Sequence, residues 1–187
     1  MNSYETIRNM LYRYCWLVDQ GKFDEMAEMF DECDIYYGDY LAISHDKEAF
    51  KQGFVENDIV YDPDKTTRTI HMCIDPIIHV DEEAGTATAQ HYTVVVQGIT
   101  GQFNPQVIVM DIKYDTFKRN EKGEWKFATR KMGNRAAGDL SHHQVNADTS
   151  TDYWSVSNTL FFPRVRKLLI GFHYYSPLQV PGNARNL

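Results

Sequence analysis

Three side chains of kinds that cooperate in proton transfer stand out in this sequence: an acid, Asp19, a phenol, Tyr14, and a histidine, His71. A neutral imidazole accepts a proton near neutrality. A carboxylate bonded to its other ring nitrogen fixes the tautomer and stabilises the imidazolium that forms. A tyrosine hydroxyl can donate to a carbonyl or enolate oxygen. Asp19 and Tyr14 share the stretch MLYRYCWLVDQGKFDEMAEMF, and His71 lies in TRTIHMCID.

The first stretch is amphipathic. Ile7, Leu11, Tyr14, Cys15 and Val18 recur at three and four residues, which predicts a helix over 4–19. With Leu11 at the centre of the apolar stripe, Asp19 falls roughly 80° to one side and Tyr14 roughly 60° to the other. The two flank the buried face and suit groups reaching into one cavity from its edges. Asp19 also sits in the last helical turn, where the dipole disfavours its charge and makes it a stronger base or a tighter histidine partner. From position alone it equally suits an acid that ends the helix by bonding a backbone N–H in the Gln20–Gly21 turn.

His71 reads as mid-strand. Alternation puts Ile70, Met72 and Ile74 on one face, and Thr69, His71 and Cys73 on the other, less apolar one. That face suits a pocket lining or solvent, and a lone strand histidine has a structural reading beside the catalytic one. His91, in TATAQHYTVV, is a second candidate for the pocket. Arg130, in WKFATRKM, suits an anion site or a salt bridge with Asp115. Tyr36 and Tyr37 offer a phenol, only one of which alternation turns inward. Of seven histidines only His142 and His143 are close in sequence, and no HExxH occurs. No metal site is expected, and the pair reads as solvated or capping. No GxxxxGK[ST], strand–GxGxxG–helix or GxSxG is present, which removes the usual support for nucleotide, dinucleotide and hydrolase-elbow functions.

The elements that must position these groups follow from periodicity. Gly21 suits a left-handed helix cap, with a second short helix over 22–30 and a brief β-like segment over 34–37. A third helix over 46–54 has Ser44 or Asp46 as N-cap. From Thr66 the period becomes two, giving long strands over about 67–80, 86–98, 107–119 and 124–132, with turns at DEEAG, TGQFNP and NEKG. Helices first and an antiparallel meander second make an α+β fold. Residues 1–133 are expected to form the domain. The extension, 134–187, is polar at first and then apolar at mixed helical spacing over 158–174; it is expected to pack over the pocket or a subunit interface.

The chain has 187 residues, 43% hydrophobic and 13% aromatic, enough for a sizeable core. A net charge of −7 argues against binding a phosphate backbone, so no nucleic-acid partner is expected. Three cysteines without CxxC spacing suit a reducing compartment. The start lacks the order of a signal peptide and no apolar run suits a membrane span, so a cytoplasmic protein without a membrane partner is expected.

Four stretches together resemble the SnoaL-like branch of the nuclear-transport-factor-2-like superfamily: RYCWLVDQGKFDEMAEMF, TRTIHMCID, GTATAQHY and KYDTFKRNEKGEWKFATR. They span about residues 5–132. There are departures: Thr69 and Ile70 separate Arg68 from His71, and Lys113 stands where a tyrosine is common. The resemblance implies a cone, with helices over a strongly curved antiparallel sheet that encloses a hydrophobic pocket. It implies an Asp19–His71 pair in which the histidine takes a proton while water or halide leaves, with no metal or organic cofactor, as in scytalone dehydratase, bile-acid dehydratase and hexachlorocyclohexane dehydrochlorinase. Bile-acid dehydratase has a tyrosine matching Tyr14, and the dehydrochlorinase an arginine matching Arg130. The tyrosine that scytalone dehydratase places directly before the Asp is missing, since Val18 stands there.

The expectation is thus a cofactor-independent lyase or isomerase, dehydratase- or cyclase-like, acting on a hydrophobic ring-containing metabolite. Asp19, His71 and Tyr14 would be catalytic; Tyr36, Tyr37, His91 and Arg130 would bind substrate; a homo-oligomer, dimer or trimer, is expected. The alternative is a non-catalytic subunit or binding module similar to the small subunit of ring-hydroxylating dioxygenases.

Overall fold

The computed structural model describes residues 2–145 and 147. Two helices, α1 (Ser3–Asp19) and α2 (Phe23–Ala27), and a 3₁₀ turn (Glu28–Phe30) open the chain. A hairpin, β1 (Asp34–Tyr37) and β2 (Tyr40–Ser44), leads to α3 (Lys47–Asn57). Four long strands follow: β3 (Thr69–Asp81), β4 (Thr86–Ile99), β5 (Phe103–Arg119) and β6 (Trp125–Ala137). The six strands form one sheet in the order β2-β1-β6-β5-β4-β3. All neighbours are antiparallel except β1, which runs parallel to β6. This is the α+β arrangement expected, with the helices packed on one face of a curved sheet.

Local chemistry sets the helix ends. The Asn2 side chain accepts from the Glu5 N–H at 2.9 Å to start α1, and Asp46 accepts from Ala49 to start α3. Gly21, with φ +62°, closes α1: its N–H reaches the Val18 carbonyl and the Lys22 N–H reaches Leu17. The five periodic positions of α1 are all buried, joined by Leu17. They meet Phe30, which stacks on Phe127 of β6 at 4.5 Å and tilts against Phe50 of α3 at 4.7 Å. Each fully buried aliphatic or aromatic chain in this cluster contributes about 1.5–3 kcal/mol.

The sheet bends because its strands slip register. Asp75 and Pro76 of β3 stand opposite the single residue His91, and unpaired extra residues lie at Ile108 of β5 and at Ala128 and Arg135 of β6. Each such bulge bends its strand and increases its twist. The elements differ from the sequence reading at α3, which runs on to Asn57, and at three strands. β2 has too few residues to show a period, and it forms because β1 offers it an edge. β5 begins at Phe103, through Pro105, because Gly98 across the ladder has no Cβ: one placed there would lie 2.8 Å from the Pro105 nitrogen. β6 runs past Gly133 to Ala137, paired with β5, so the expected division at 133/134 falls inside this strand. The helical segment expected over 158–174 lies outside the described residues. No helix among the described residues is long and apolar enough to cross a membrane.

Candidate active site

Asp19 is the last residue of α1, and the Gly21 cap turns its carboxylate toward β3 rather than back on the Gln20–Gly21 turn. The Thr67 N–H fastens the Asp19 carbonyl at 3.1 Å, which ties the helix end to the start of the strand. Asp19 Oδ1 then accepts from His71 Nδ1 at 2.6 Å and from the Thr69 hydroxyl at 2.7 Å. The His71 backbone N–H closes a fork on both carboxylate oxygens, 2.9 Å to Oδ2 and 3.1 Å to Oδ1. Thr67 Oγ1 stands 2.6 Å behind Thr69 Oγ1 and extends the chain of hydroxyls. With an ionised Asp19 as acceptor, the imidazole proton sits on Nδ1 and leaves the Nε2 lone pair free to take a proton.

His71 lines a small cavity of about 70 Å³. Its apolar wall comes from Phe50 and Phe54 of α3, Val95 and Val109 of the sheet, and Met132 of β6. The other wall is polar: Tyr14, Tyr37, Thr93, and the ion pair of Lys113 with Asp111 at 2.7 Å. Burial pulls the Lys113 pKa down, but the Asp111 carboxylate more than reverses this, so the ammonium stays charged. Burial pushes the Tyr14 phenol up despite the pull of Arg130 and Lys113, so its proton is retained.

Two more titratable groups close the cavity. Asp58, just beyond α3, has no ion-pair partner among the described residues, and burial pushes it up to about 8. His143 is buried with its ring 6.3 Å from that of His71; burial, reinforced by His71, pulls it down to about 3 and keeps it neutral.

The SnoaL-like domain family matches residues 1–131. The chain belongs to this family. The SnoaL-like chain also shares its fold with solved structures of low sequence identity. A candidate scytalone dehydratase from Novosphingobium aromaticivorans is 19% identical with a TM-score of 0.55, covering 73% of this chain and 86% of that one. ActVI-ORFA from Streptomyces coelicolor is 15% identical with a TM-score of 0.54, covering 70% and 96%. A third, from N. aromaticivorans, is described as NTF2-like with a cystatin-like fold; it is 17% identical with a TM-score of 0.52, covering 79% and 85%. At these identities the likeness speaks for the fold. No curated protein matches the chain.

Within this SnoaL-like domain, His71, Tyr14 and Tyr37 line the cavity, and Asp19 stands outside the lining as the partner of His71. Tyr36, next along β1, is not part of the lining, as alternation requires of one of the pair. Arg130 and His91 are not at the cavity either. Arg130 is fully buried, forked onto Asp115 through Nε and Nη2 at 2.8 Å each, and His91 Nε2 sits 3.2 Å from the same carboxylate. The guanidinium lies 4.1 Å from the Tyr14 ring centroid, with Phe30 and Phe127 also around it. Burial alone would raise Asp115, yet Arg130 and His91 hold it at about 2. These side chains therefore make a charged core beside Tyr14, outside the cavity lining. The physical reason is register: Asp115 is the direct cross-strand neighbour of Arg130.

His143 also departs from expectation, since it is buried rather than solvated. The His142 carbonyl next to it accepts from Tyr61 Oη at 2.5 Å and Gln97 Nε2 at 2.8 Å, which pins the segment against the sheet. Sequence reading missed Asp58 and Asp111 as site residues and met Lys113 only as a departure from the family pattern. A signal was available for two of them: alternation in DIKYD puts Asp111, Lys113 and Asp115 on one face, an unusual run of charge for a strand's inner side.

Proposed function

We propose that this SnoaL-like domain is a cofactor-independent lyase or isomerase of dehydratase or cyclase type, in which His71 is the general base. Its Nε2 would remove a proton from a carbon next to a carbonyl in a hydrophobic, ring-containing small molecule. Asp19 would orient the imidazole and stabilise the imidazolium, and Tyr14 would donate to the developing enolate oxygen. The observation that carries this reading is the 2.6 Å contact between Asp19 Oδ1 and His71 Nδ1, which leaves the other ring nitrogen available as a base. The fold shared with a candidate scytalone dehydratase supports an elimination within this class.

A cavity of about 150 Å³ holds a benzene ring, whereas this one has about 70 Å³. Binding a ring therefore requires lining side chains to swing aside. Met132, unbranched and only partly buried, is the most pliable of them. The test is exchange of the α-protons of cyclohexanone for deuterium, a step common to elimination, isomerisation and cyclisation. His71→Ala is expected to abolish catalysed exchange while retaining the fold. Exchange at the wild-type rate in that variant would overturn the base assignment.

A second reading rests on the opposite face of the sheet, where Ile70, Ile77, Tyr92, Met110 and Tyr114 are exposed together. An apolar face of this kind supports a non-catalytic subunit whose role is assembly. That reading expects Tyr92→Lys to change the oligomeric state, and expects the wild-type protein to exchange no α-protons.

A further inference from the structure

A base alone does not expel hydroxide. Elimination of water needs a proton on the departing oxygen, and the dyad supplies none in its resting state. Asp58 is placed to do so. It is the C-cap residue of α3, anchored by its own N–H to the Phe54 carbonyl at 2.8 Å and by a backbone bridge to Gln144. Its side chain lines the same cavity as His71, and its Oδ1 is buried without a hydrogen-bond partner. Two effects disfavour its ionised form there: removal from water without a cation beside it, and the negative end of the α3 dipole.

We propose that Asp58 is held as a neutral carboxylic acid facing the cavity and is the general acid of the elimination, protonating the departing hydroxyl. The inference rests on His71 as the base. As His71 Nε2 takes the proton from the α-carbon, the C–H electron pair forms the double bond. The C–O bond to the β-carbon breaks, and its oxygen takes the Asp58 proton and leaves as water. An imidazolium and a carboxylate remain, and proton transfer from one to the other restores both.

The other titratable groups facing this space suit the task less well. Tyr14 holds its proton more tightly than a free phenol. The Lys113 ammonium is engaged by Asp111. His143, pulled down to about 3, has no proton to give at neutral pH. Asp58, at about 8, is protonated yet acidic enough to donate near neutrality.

The test compares the full-length wild type with Asp58→Asn in two measurements. The first is a carbon-13 titration of aspartate-labelled protein. One carboxyl is expected to titrate above neutrality and to be missing from the variant; an Asp58 resonance titrating near the ordinary carboxylate value of about 4 would overturn the proposal. The second uses 3-hydroxycyclohexanone, whose dehydration needs both acid and base, beside cyclohexanone exchange, which needs the base alone. Asp58→Asn is expected to slow dehydration by about 10²-fold or more and to slow exchange by no more than a few-fold. Dehydration at near wild-type rate in the variant would overturn the proposal. Absence of exchange in the wild type would overturn His71 as base, and the titration would still decide the state of Asp58.

Discussion

Asp19→Asn puts the proposed base to its sharpest test, because the substitution keeps the shape and reverses one contact. The carboxylate receives the His71 backbone N–H, His71 Nδ1 and the Thr69 hydroxyl. A carboxamide can match only part of this. The His71 backbone N–H reaches both oxygens, 2.9 Å to Oδ2 and 3.1 Å to Oδ1, so the NH₂ opposes it in either placement. With the oxygen at Oδ2, which keeps the shorter of these contacts, the NH₂ at Oδ1 donates to Nδ1. The ring proton then moves to Nε2, and the free lone pair of the base is lost. In the serine-protease triad, the same Asp-to-Asn change costs about 10⁴ in kcat through the wrong tautomer. Here we expect a loss of about 10³–10⁴, or about 4–5.5 kcal/mol of transition-state stabilisation. Folding should suffer less, by about 1–3 kcal/mol for the weakened charge-assisted hydrogen bonds. Cyclohexanone exchange measures the first effect and thermal unfolding the second. Two-bond ¹H–¹⁵N spectra of labelled histidine read the tautomer directly. A variant whose His71 kept its proton on Nδ1, or whose exchange rate was unchanged, would refute the reasoning.

Three further outcomes follow from the same geometry. Arg130→Met should destabilise the fold by about 3–5 kcal/mol, since it leaves the Asp115 carboxylate buried without its cation. Because Asp115 is held at about 2, below its unfolded value of about 3.9, its contribution is present above the unfolded value and is lost as pH falls through the folded one. Acid titration of unfolding should therefore show a weaker dependence in Arg130→Met than in the wild type over that window. For Asp58 the sign is opposite. Its folded value, about 8, lies above the unfolded one, so its contribution is full below about 4 and is lost at about 1.4 kcal/mol per pH unit up to the folded value. Asp58→Asn should gain thermal stability over the wild type at alkaline pH and keep little advantage at about pH 4; equal melting temperatures across that range would contradict the buried acid. Gly21→Ala should cost about 1–3 kcal/mol for the left-handed conformation. Its Cβ would also meet the Lys65 carbonyl at 2.5 Å, so Asp19 should shift and α-proton exchange should fall with stability.

What the sequence made legible follows from parity and period. A helix face repeats every 3.6 residues and a strand face every two, so the buried side of α1 and the face that His71 shares with Thr69 and Cys73 could be read without knowing any partner, though not whether that face meets a pocket or solvent. The Gly21 cap was legible for a related reason: a left-handed residue at a helix end is a local requirement. Partners across the sheet have no such signature. By residue type Arg130 suits an anion or, more readily, Asp115, and the β5–β6 register sets those two opposite each other, fifteen residues apart. Asp58 reaches the cavity from the end of a helix and His143 from a segment with no period. Non-local backbone contacts hold them together, among them the Ile59 N–H to the His143 carbonyl and the Val145 N–H to the Asn57 carbonyl, each at 2.8 Å.

The charges on the inner face then divide by depth. At β5 the face carries Asp111, Lys113 and Asp115 in alternate positions. Asp115 lies deepest, satisfied by Arg130 and His91, and forms a rigid floor under the Tyr14 ring. Asp111 and Lys113 stand higher, paired to each other but open to the cavity, with Asp111 Oδ1 buried and unpartnered. A hydroxyl entering beside them would satisfy that oxygen at no cost to the ion pair, whereas an aliphatic group would leave it unmet, a penalty of about 1–3 kcal/mol. The polar wall should therefore favour oxygenated rings over hydrocarbons of equal size. In competition against cyclohexanone exchange, 3-hydroxycyclohexanone should bind about 5-fold or more tighter than 3-methylcyclohexanone. Removing the acceptor with Asp111→Leu, paired with Lys113→Met so that no buried charge is left alone, should erase that preference.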